Sequence, residues 1–379
     1  MNDKDYQAIL QKLTLEEKVS MCSGSTTWLT RPVKRDDVDI PAVRMSDGPV
    51  GLRREKMSGG VNIMQTPEPA TCFPGAVTTA SSWDENLIEE VGSAIAVEAQ
   101  SLGVSTVLGP GVNIKRSPLC GRNFEYFSED PFLAGRMGAA WVHGVQKMNV
   151  GTSLKHYLAN NQEYIRMCID SIVDERTLRE IYMPAFEHIV KTEQPTTVMC
   201  SYNRLNGKYL SDHKRFLTDV LRDEWGFKGI VVSDWGAVND RGEGIKAGLD
   251  LEMPGSKGLN DKSIYKALEN GTITEEDLDR VVLRLIKFAY ENTVREVKGV
   301  TYDIEEHNAI ARRAAEGGAV LLKNDGALPL DKQQSIAVAR AIFFPTKSRL
   351  SLTHSTMRDK NTNMQTAIRS KAKATKRAL

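Results

Sequence analysis

Six short apolar runs, separated by longer amphipathic stretches, constrain the fold more than any other feature of the sequence. They lie at 42–46, 104–110, 152–157, 196–202, 229–234 and 249–254. Most are apolar on both faces, which is typical of parallel strands that are covered by helices on one side and packed inward on the other. The stretches between them have helical periodicity. This alternation predicts an α/β fold with a parallel sheet, of the TIM-like (β/α)8 barrel type.

Chemically capable side chains recur where these apolar runs end. The residues concerned are Asp47, Lys155, His156, Tyr202, Asp234 and Glu252. A barrel gathers its active site from the C-terminal ends of its strands, so we expect these side chains to lie close together. Each one alone could be a structural hydrogen bonder, but burying several acids and bases with no site to serve would be costly. The sequence therefore predicts a polar site at one rim of the barrel.

Charge and composition argue against several classes of function. The chain has 379 residues and a formal net charge of +1, but residues 331–379 hold 11 of the 50 Lys and Arg residues and only 2 of the 49 acids. The rest of the chain is therefore acidic, which gives no indication of a nucleic-acid partner. No apolar run is long enough for a membrane span, and the polar N-terminal stretch lacks the apolar core of a secretory signal, so a cytoplasmic location is expected. The five cysteines and six histidines are dispersed, so neither a disulfide framework nor a metal or other cofactor is predicted.

The segment GIVVSDWGA (229–237) places Asp234 directly after an apolar run and before Trp235. Retaining hydrolysis of a glycosidic bond needs one carboxylate that attacks the anomeric carbon and one carboxylic acid that protonates the leaving oxygen. An ionised carboxylate at a strand end, beside an aromatic wall for a sugar face, suits the first role. Asp234 is therefore the predicted nucleophile.

Three further segments carry side chains that suit sugar hydroxyls. In SDGPVGLR (46–53), Asp47 can accept hydrogen bonds from hydroxyls and Arg53 can hold that carboxylate in place. In CGRNFEYFSEDP (120–131), Arg122 is expected to pair with Glu125. The segment KHYLANNQE (155–163) and the residues just after it add Lys155, His156 and Arg166.

Taken in order, these segments resemble the N-terminal barrel domain of glycoside hydrolase family 3, in its β-glucosidase branch. The likeness covers roughly residues 10–336 and rests on LTLEEKVSMCSG, SDGPVGLR, GPGVNIKRSPLCGRNFEYFSEDPFLAG, KHYLANNQE, VMCSYNRLNG, GIVVSDWGAV, AGLDLEMPG and AVLLKNDGALPL. The family's N-acetylglucosaminidase branch follows its Lys-His pair with a Pro-Gly loop that bears a catalytic His/Asp pair, whereas this chain continues with YLANNQE. The resemblance therefore implies a β-glucosidase that acts on small β-glucosides or oligosaccharides, with no nucleic acid, membrane or cofactor involved.

The resemblance also implies a role for each matching position. Asp234 would form the covalent glycosyl-enzyme. The subsite for the nonreducing terminal sugar would be lined by Asp47, Arg53, Arg122, Lys155, His156 and Arg166, and its walls would be completed by Met199, Tyr202 and Trp235.

The chain departs from the family pattern after Val338. The expected division is a barrel over 1–315, a linker with the first strand of a truncated α/β sandwich domain over 316–338, and a disordered basic tail over 339–379, read as out-of-frame sequence. Because that sandwich domain carries the family's acid/base glutamate, the resemblance implies impaired hydrolysis. Three alternatives stay open at this stage: a catalytically silent sugar-binding barrel, a β-xylosidase or other exo-β-glycosidase of the same family, and an unrelated barrel aldolase that uses Lys155 as a Schiff base.

Overall fold

The computed structural model describes residues 2–55, 67–292 and 300–331. Strands within these ranges are β1 Val33–Arg35, β2 Val38–Ile40, β3 Met45–Asp47, β4 Thr106–Leu108, β5 Gly151–Tyr157, β6 Asp170–Ser171, β7 Thr197–Cys200, β8 Arg204–Leu205, β9 Lys208–Tyr209 and β10 Ile230–Ser233. Five of them form one parallel sheet in the order β10-β7-β5-β4-β3. Neighbours in this sheet follow chain order, as they do in a barrel. The parallel sheet predicted from the apolar runs is confirmed.

Two further segments close this sheet into a ring. The chain after β10 lies beside it through a parallel bridge at Leu251, and the next residue, Glu252, bridges Ser23, so the last predicted strand contributes isolated bridges and not a regular strand. The segment 23–30 then spans the remaining gap. On one side the Gly24 N–H donates to the Glu252 carbonyl at 2.9 Å, and on the other side Leu29 bridges the residue before β3. The result is an α/β fold of the TIM-like type, in which the N-terminal segment is part of the ring.

Helices cover the outside of the ring. The α-helices are α1 Asp3–Leu10, α2 Leu15–Met21, α3 Ala76–Ala80, α4 Glu85–Ser101, α5 Pro131–Gln146, α6 Glu175–Thr177, α7 Pro184–Glu193, α8 Arg241–Ala247, α9 Leu259–Glu269, α10 Glu275–Asn292 and α11 Ile304–Gly317. A short 3₁₀ turn lies at Leu210–Asp212, and π-helical turns lie at Leu178–Tyr182 and Arg215–Glu224. Among the described residues, no helix is both long enough and apolar enough to cross a membrane.

Helices α4 and α5 approach each other closely because glycines lie at their contact. A Cβ atom added to Gly144 would lie 2.2 Å from the Glu89 carbonyl oxygen, and one added to Gly92 would lie 2.7 Å from the Trp141 carbonyl oxygen. Such backbone-to-backbone contact is possible only without a side chain. This contact fixes two of the helices that support β4 and β5.

A buried ionic cluster lies behind β10. The Asp250 side chain is fully buried and accepts hydrogen bonds from Arg222 and Arg284, the latter at 2.7 Å. The same carboxylate accepts the Val231 N–H at 2.7 Å. Because an unpaired charge is costly in this environment, the three side chains act as one structural unit.

Helix α11 is the last regular element of the described residues. It is anchored by His307, whose Nδ1 lies 2.6 Å from the buried Glu98 carboxylate on α4. Residues 319–331 follow without regular secondary structure and with exposed side chains. The remainder of the predicted linker region and the predicted tail at 339–379 lie outside the described residues.

Candidate active site

A cavity of about 470 Å³ opens at the rim where the parallel strands end. Except for Glu252, its wall contains every residue that the sequence predicts for the site, namely Asp47, Arg53, Arg122, Lys155, His156, Arg166, Met199, Tyr202, Asp234 and Trp235. The wall also contains residues outside that set, namely Thr27, Trp28, Pro49, Leu108, Gly121, Phe124, Glu125 and Glu163. The fold therefore brings together residues that are up to 208 positions apart in the sequence.

Asp234 follows β10 directly, and its carboxylate is nearly buried, with 7 % of the residue exposed. Its N–H donates to the Cys200 carbonyl at 3.1 Å, which continues the pairing between β10 and β7. Oδ1 accepts the Trp235 N–H at 2.7 Å. Oδ2 lies 3.9 Å from Arg122 Nη1 and 3.7 Å from His156 Nε2. It accepts no hydrogen bond of ordinary geometry among the described residues, although the Tyr202 hydroxyl, which donates to the Trp235 carbonyl, is close enough to lower the pKa of Asp234. One oxygen is therefore held by the backbone while the other remains available for bond formation.

Burial and nearby donors act in opposite directions on this carboxylate. Burial raises the pKa of Asp234 above its ordinary value, while Arg122, the Trp235 N–H and Lys155 each pull that pKa down. Burial prevails, so the ionised form of Asp234 depends on the cations beside it.

Alternating charges run along one side of the pocket. Lys155 Nζ lies 3.6 Å from the Asp47 carboxylate and 3.5 Å from the Glu125 carboxylate, and Glu125 in turn binds Arg122 as predicted. Burial alone would raise the pKa of Glu125, but the two cations hold it below its ordinary value. The structure differs from the expectation that the Arg53 side chain holds the Asp47 carboxylate. The contact between these two residues is backbone pairing, with the Arg53 N–H donating to the Asp47 carbonyl at 2.9 Å, and Lys155 is the cation that approaches the carboxylate.

The surroundings of His156 favour its neutral imidazole form. Burial, together with the cations around it, keeps the pKa of His156 well below its ordinary value. Nδ1 lies 3.2 Å from the Tyr126 hydroxyl, and the backbone of His156 exchanges two hydrogen bonds with the Asn113 side chain. Because the ring is held at Nδ1, Nε2 is the atom that faces Asp234.

A second side of the pocket is aromatic. The Tyr202 hydroxyl donates to the Trp235 carbonyl at 3.0 Å, and the Arg166 guanidinium lies 4.6 Å from the centre of the Tyr202 ring. Arg166 is oriented by Glu163, at 2.9 Å. These contacts fix the backbone that follows the predicted nucleophile.

Trp28 also belongs to this wall, and sequence reasoning missed it. Its ring centre lies 5.3 Å from that of Trp235, and Trp235 Nε1 donates to the carbonyl of the adjacent Thr27 at 2.9 Å. Trp28 lies in the polar segment 23–30, which no strand pattern marks. Only the closure of the ring brings it to the rim.

Glu252 is the strand-end acid that the structure places outside the pocket. Its carboxylate accepts hydrogen bonds from Ser23 at 2.9 Å and from Asn260 at 2.6 Å, so it joins the N-terminal segment to α9. This is a structural role. In the part of the chain that the structure describes, no group of three or more His, Cys, Asp or Glu side chains is arranged to hold a metal ion.

Comparisons with curated proteins find relatives over most of this chain. It is 51% identical over 338 residues to the thermostable beta-glucosidase B of Acetivibrio thermocellus, a match that covers 89% of this chain and 44% of the relative. It is 48% identical over 334 residues to an exo-alpha-(1->6)-L-arabinopyranosidase of Bifidobacterium longum, covering 87% of this chain and 44% of the relative. The chain therefore spans less than half the length of these relatives.

Solved structures give the same picture. The Bifidobacterium adolescentis GH3 beta-glucosidase superposes with a TM-score of 0.78 at 47% identity, over 85% of this chain and 46% of that one. Beta-glucosidase 3B of Thermotoga neapolitana in complex with glucose superposes with a TM-score of 0.80 at 42% identity, over 86% of this chain and 48% of that one. The profile of the glycosyl hydrolase family 3 N-terminal domain matches residues 35–288, which include every predicted site residue. This chain belongs to glycosyl hydrolase family 3.

Proposed function

We propose that this chain cleaves terminal nonreducing β-D-glucosyl residues with retention of configuration, and that Asp234 is the nucleophile. The observation that carries the proposal is the state of Asp234: a strand-end carboxylate with one oxygen held by a backbone N–H and the other accepting no hydrogen bond of ordinary geometry among the described residues, close to Arg122. The beta-glucosidase relatives at 40–51% identity support the same substrate class.

The first chemical step follows from this placement. Asp234 Oδ2 forms a bond to the anomeric carbon while the bond from that carbon to the leaving oxygen breaks, and the leaving group takes the electron pair. Water then attacks the anomeric carbon, transfers a proton to a base, and releases the sugar and the Asp234 carboxylate. Both displacements invert the anomeric centre, so the product keeps the configuration of the substrate.

Leaving-group protonation decides which substrates react fastest. Asp47, Glu125 and Glu163, the other carboxylates of the pocket wall, are each paired with a cation. Arg122 and Lys155 hold the pKa of Glu125 below its ordinary value, which makes Glu125 a poor proton donor, whereas burial raises the pKa of Glu163 despite its pairing with Arg166. Aryl glycosides, whose leaving groups need little protonation, are therefore the proposed best substrates.

Sugar hydroxyls are proposed to bind the charged side of the pocket. Carboxylate oxygens of Asp47 can accept from hydroxyls, while Lys155 and Arg122 can donate to them. A pentopyranoside is the second candidate, because an arabinopyranosidase is 48% identical to this chain. Such a substrate lacks the hydroxymethyl group of glucose.

A cytoplasmic location stays a prediction from the sequence.

A panel of 4-nitrophenyl glycosides tests the proposal. The β-D-glucoside is expected to exceed the β-D-xyloside, β-D-galactoside and α-L-arabinopyranoside in kcat/KM by about 10-fold or more, the usual discrimination for a missing or misplaced group. A 2-deoxy-2-fluoroglucoside with a dinitrophenyl leaving group should then label the peptide that contains Asp234, as read by mass spectrometry. Preference for the arabinopyranoside would favour the second candidate. Sugar binding without turnover or labelling would leave a silent sugar-binding barrel.

Substitution of Arg122 by methionine tests the electrostatic support of Asp234. The Asp234 carboxylate must be ionised to attack, so activity is lost as the pH falls through its pKa, which burial raises and Arg122 lowers. Without Arg122 that pKa rises further, and the acidic limb of the pH profile is expected to move to higher pH. The loss of a charged hydrogen-bond donor should also lower the maximal inactivation rate constant by about 10- to 100-fold.

The measurement is the rate of inactivation by the 2-fluoro sugar as a function of pH. Arg136→Met is the matched control, because Arg136 pairs with Glu85 outside the pocket and its loss should leave the profile in place. An unchanged acidic limb in Arg122→Met would show that Arg122 does not support the ionised nucleophile.

A further inference from the structure

Residues 47–53, here called the pocket loop, begin at the end of β3 and carry two side chains of the cavity wall, Asp47 and Arg53. The loop is closed on itself, because the Arg53 N–H donates to the Asp47 carbonyl at 2.9 Å. The Ser46 hydroxyl donates to the Arg53 carbonyl at 2.8 Å. After Asp47, no described residue of the loop belongs to a helix or a strand. The place of the pocket loop therefore depends on the chain against which it packs.

Residues 67–73, here called the support segment, pack against the pocket loop and lie outside the cavity wall. The Phe73 N–H donates to the Val50 carbonyl at 2.8 Å. A Cβ atom added to Gly51 would lie 2.3 Å from the Thr71 carbonyl oxygen, so the two backbones are in direct contact there. A shift of the support segment would therefore move the pocket loop and its two wall side chains with it.

One buried carboxylate joins the support segment to two helices. Glu98 lies on α4 and is fully buried. Its Oε2 accepts the Thr71 N–H at 2.9 Å, and its Oε1 lies 2.6 Å from Nδ1 of His307 on α11. Both oxygens are therefore used, and each fixes the carboxylate to a different part of the chain. A buried polar network that is fully satisfied is rigid, whereas the loss of one member leaves the others unpaired.

Helix α11 also reaches the support segment through aromatic side chains. The His307 ring stacks on that of Tyr302, just before the helix, with centres 5.0 Å apart, and its centre lies 6.3 Å from that of Phe73. The Tyr302 hydroxyl donates to the Pro69 carbonyl at 3.3 Å. The match to the family profile ends at residue 288, so α11 lies beyond it. The helix thus supports a loop of the barrel from outside the matched region.

We propose that Glu98 is a positioning residue for the pocket loop, and that His307 orients its carboxylate. The inference rests on the proposed function, because Asp47 is there assigned to bind sugar hydroxyls. Glu98 lies outside the cavity wall, so it acts on sugar binding only through Thr71 and the support segment. Strands β3 and β10 lie at opposite ends of the five-stranded sheet. A shift of the pocket loop therefore changes sugar affinity more than it changes the reactivity of Asp234.

Amide hydrogen exchange of the full chain, read by mass spectrometry, tests the positioning without a ligand. Glu98→Leu keeps a side chain of similar size but removes both acceptors. Peptides that cover 47–53 and 67–73 are then expected to exchange roughly 10-fold faster or more, because the Thr71 N–H loses its partner. Glu98→Gln should stay close to the unmodified chain, since its amide oxygen can accept the Thr71 N–H and its amide nitrogen can donate to Nδ1 of His307. Faster exchange in the two helices alone would overturn the inference.

Calorimetric titration with glucose tests the consequence for the pocket. Glu98→Leu should weaken the Kd by about 10-fold, because hydrogen bonds from the pocket loop to the sugar are lost, whereas Glu98→Gln should change it by less than about twofold. In inactivation by the 2-fluoro sugar, the inhibition constant should rise by the same factor while the maximal rate constant changes by less than about threefold. A merely structural role would lower the fraction of binding-competent chain and leave the Kd unchanged, and that result would overturn the inference.

Two further variants complete the design. Glu90→Leu is the control, because Glu90 also joins α4 to α11 by pairing with Arg313, but on the exposed surface. It should leave both the exchange of the pocket loop and the Kd for glucose unchanged. His307→Phe keeps an aromatic ring beside Tyr302 and removes Nδ1, so it should act in the same direction as Glu98→Leu. This variant keeps the test decisive where Glu98→Leu folds poorly.

Two results with these variants would overturn the inference. One is an equal loss of glucose affinity in Glu98→Gln and Glu98→Leu, since the amide keeps both contacts of the carboxylate. The other is unchanged exchange and unchanged affinity in His307→Phe. If the unmodified chain binds no glucose, the proposed function is wrong, and the exchange of the pocket loop alone decides the inference.

Discussion

Replacement of Asp234 by asparagine is expected to lower kcat for 4-nitrophenyl β-D-glucoside by roughly 10⁴- to 10⁶-fold, the range seen when a hydrolase loses one of its essential catalytic groups. Asparagine has nearly the same shape, and its carbonyl oxygen can still accept the Trp235 N–H that holds Oδ1. What it lacks is the negative charge that forms the bond to the anomeric carbon. The measurement is release of nitrophenol under single-turnover conditions, which isolates the first displacement from later steps.

Binding provides the control for the same variant. Glucose should still bind to Asp234→Asn, because Asp47, Arg122 and Lys155 are unchanged. Asp219→Asn on an exposed surface should keep full activity. Added azide gives an independent readout in Asp234→Ala. Azide would attack the anomeric carbon in place of the carboxylate, the aryl oxide would leave, and the product would be the α-glucosyl azide. Turnover of Asp234→Asn close to that of the unmodified chain would contradict the assignment and direct attention to another carboxylate of the pocket.

Asp250→Asn is expected to have the largest effect on stability. The Asp250 carboxylate is fully buried and neutralises both Arg222 and Arg284, which are themselves mostly buried. Removing one partner of a buried ionic group leaves charge without compensation, which costs about 3–5 kcal/mol. The free energy of unfolding, measured from urea transitions, should fall by this amount.

An exposed ion pair provides the control for Asp250→Asn. Glu90→Gln removes the carboxylate that pairs with Arg313, and both side chains are about half exposed. Such pairs contribute about 0–1 kcal/mol, so this variant should unfold near the midpoint of the unmodified chain. If Asp250→Asn and Glu90→Gln lowered the free energy of unfolding equally little, solvent or rearrangement would compensate the charges of Arg222 and Arg284. The buried cluster would then not stabilise β10.

The sequence predicts those parts of the site that lie at the ends of regular strands. Asp234 and Lys155 follow apolar runs whose burial is evident from composition, and the parallel barrel then dictates where they meet. Trp28 could not be predicted this way, because it lies in a polar segment that reaches the rim only through pairing with residues far away in the chain. The prediction that Arg53 holds the Asp47 carboxylate was wrong for a related reason. Arg53 is close in sequence, but Lys155 comes from β5, which is separated from β3 by β4.

The local geometry of helices is also only partly predicted by the sequence. Pro184 predicts a distortion in the helix around 174–192, and the structure has a π-helical turn at Leu178–Tyr182 just before Pro184 begins α7. The second π-helical turn, at Arg215–Glu224, has the spacing of an ordinary amphipathic helix in sequence. A change in hydrogen-bond register leaves the apolar pattern almost intact, so only coordinates reveal it.

Closure of the ring has a consequence for how this chain is made. Gly24 pairs with Glu252, and Trp28 contacts Trp235. More than two hundred further residues must therefore be translated before the N-terminal segment can form its native contacts. Contacts of such sequence separation form slowly and leave apolar surface exposed in the meantime. The predicted nucleophile and the contact between Trp28 and Trp235 are assembled in that same late event. The time at which sugar binding appears during refolding would therefore report the final step of barrel formation. Slow synthesis or binding to a chaperone would change the yield of folded protein before it changed the catalytic rate.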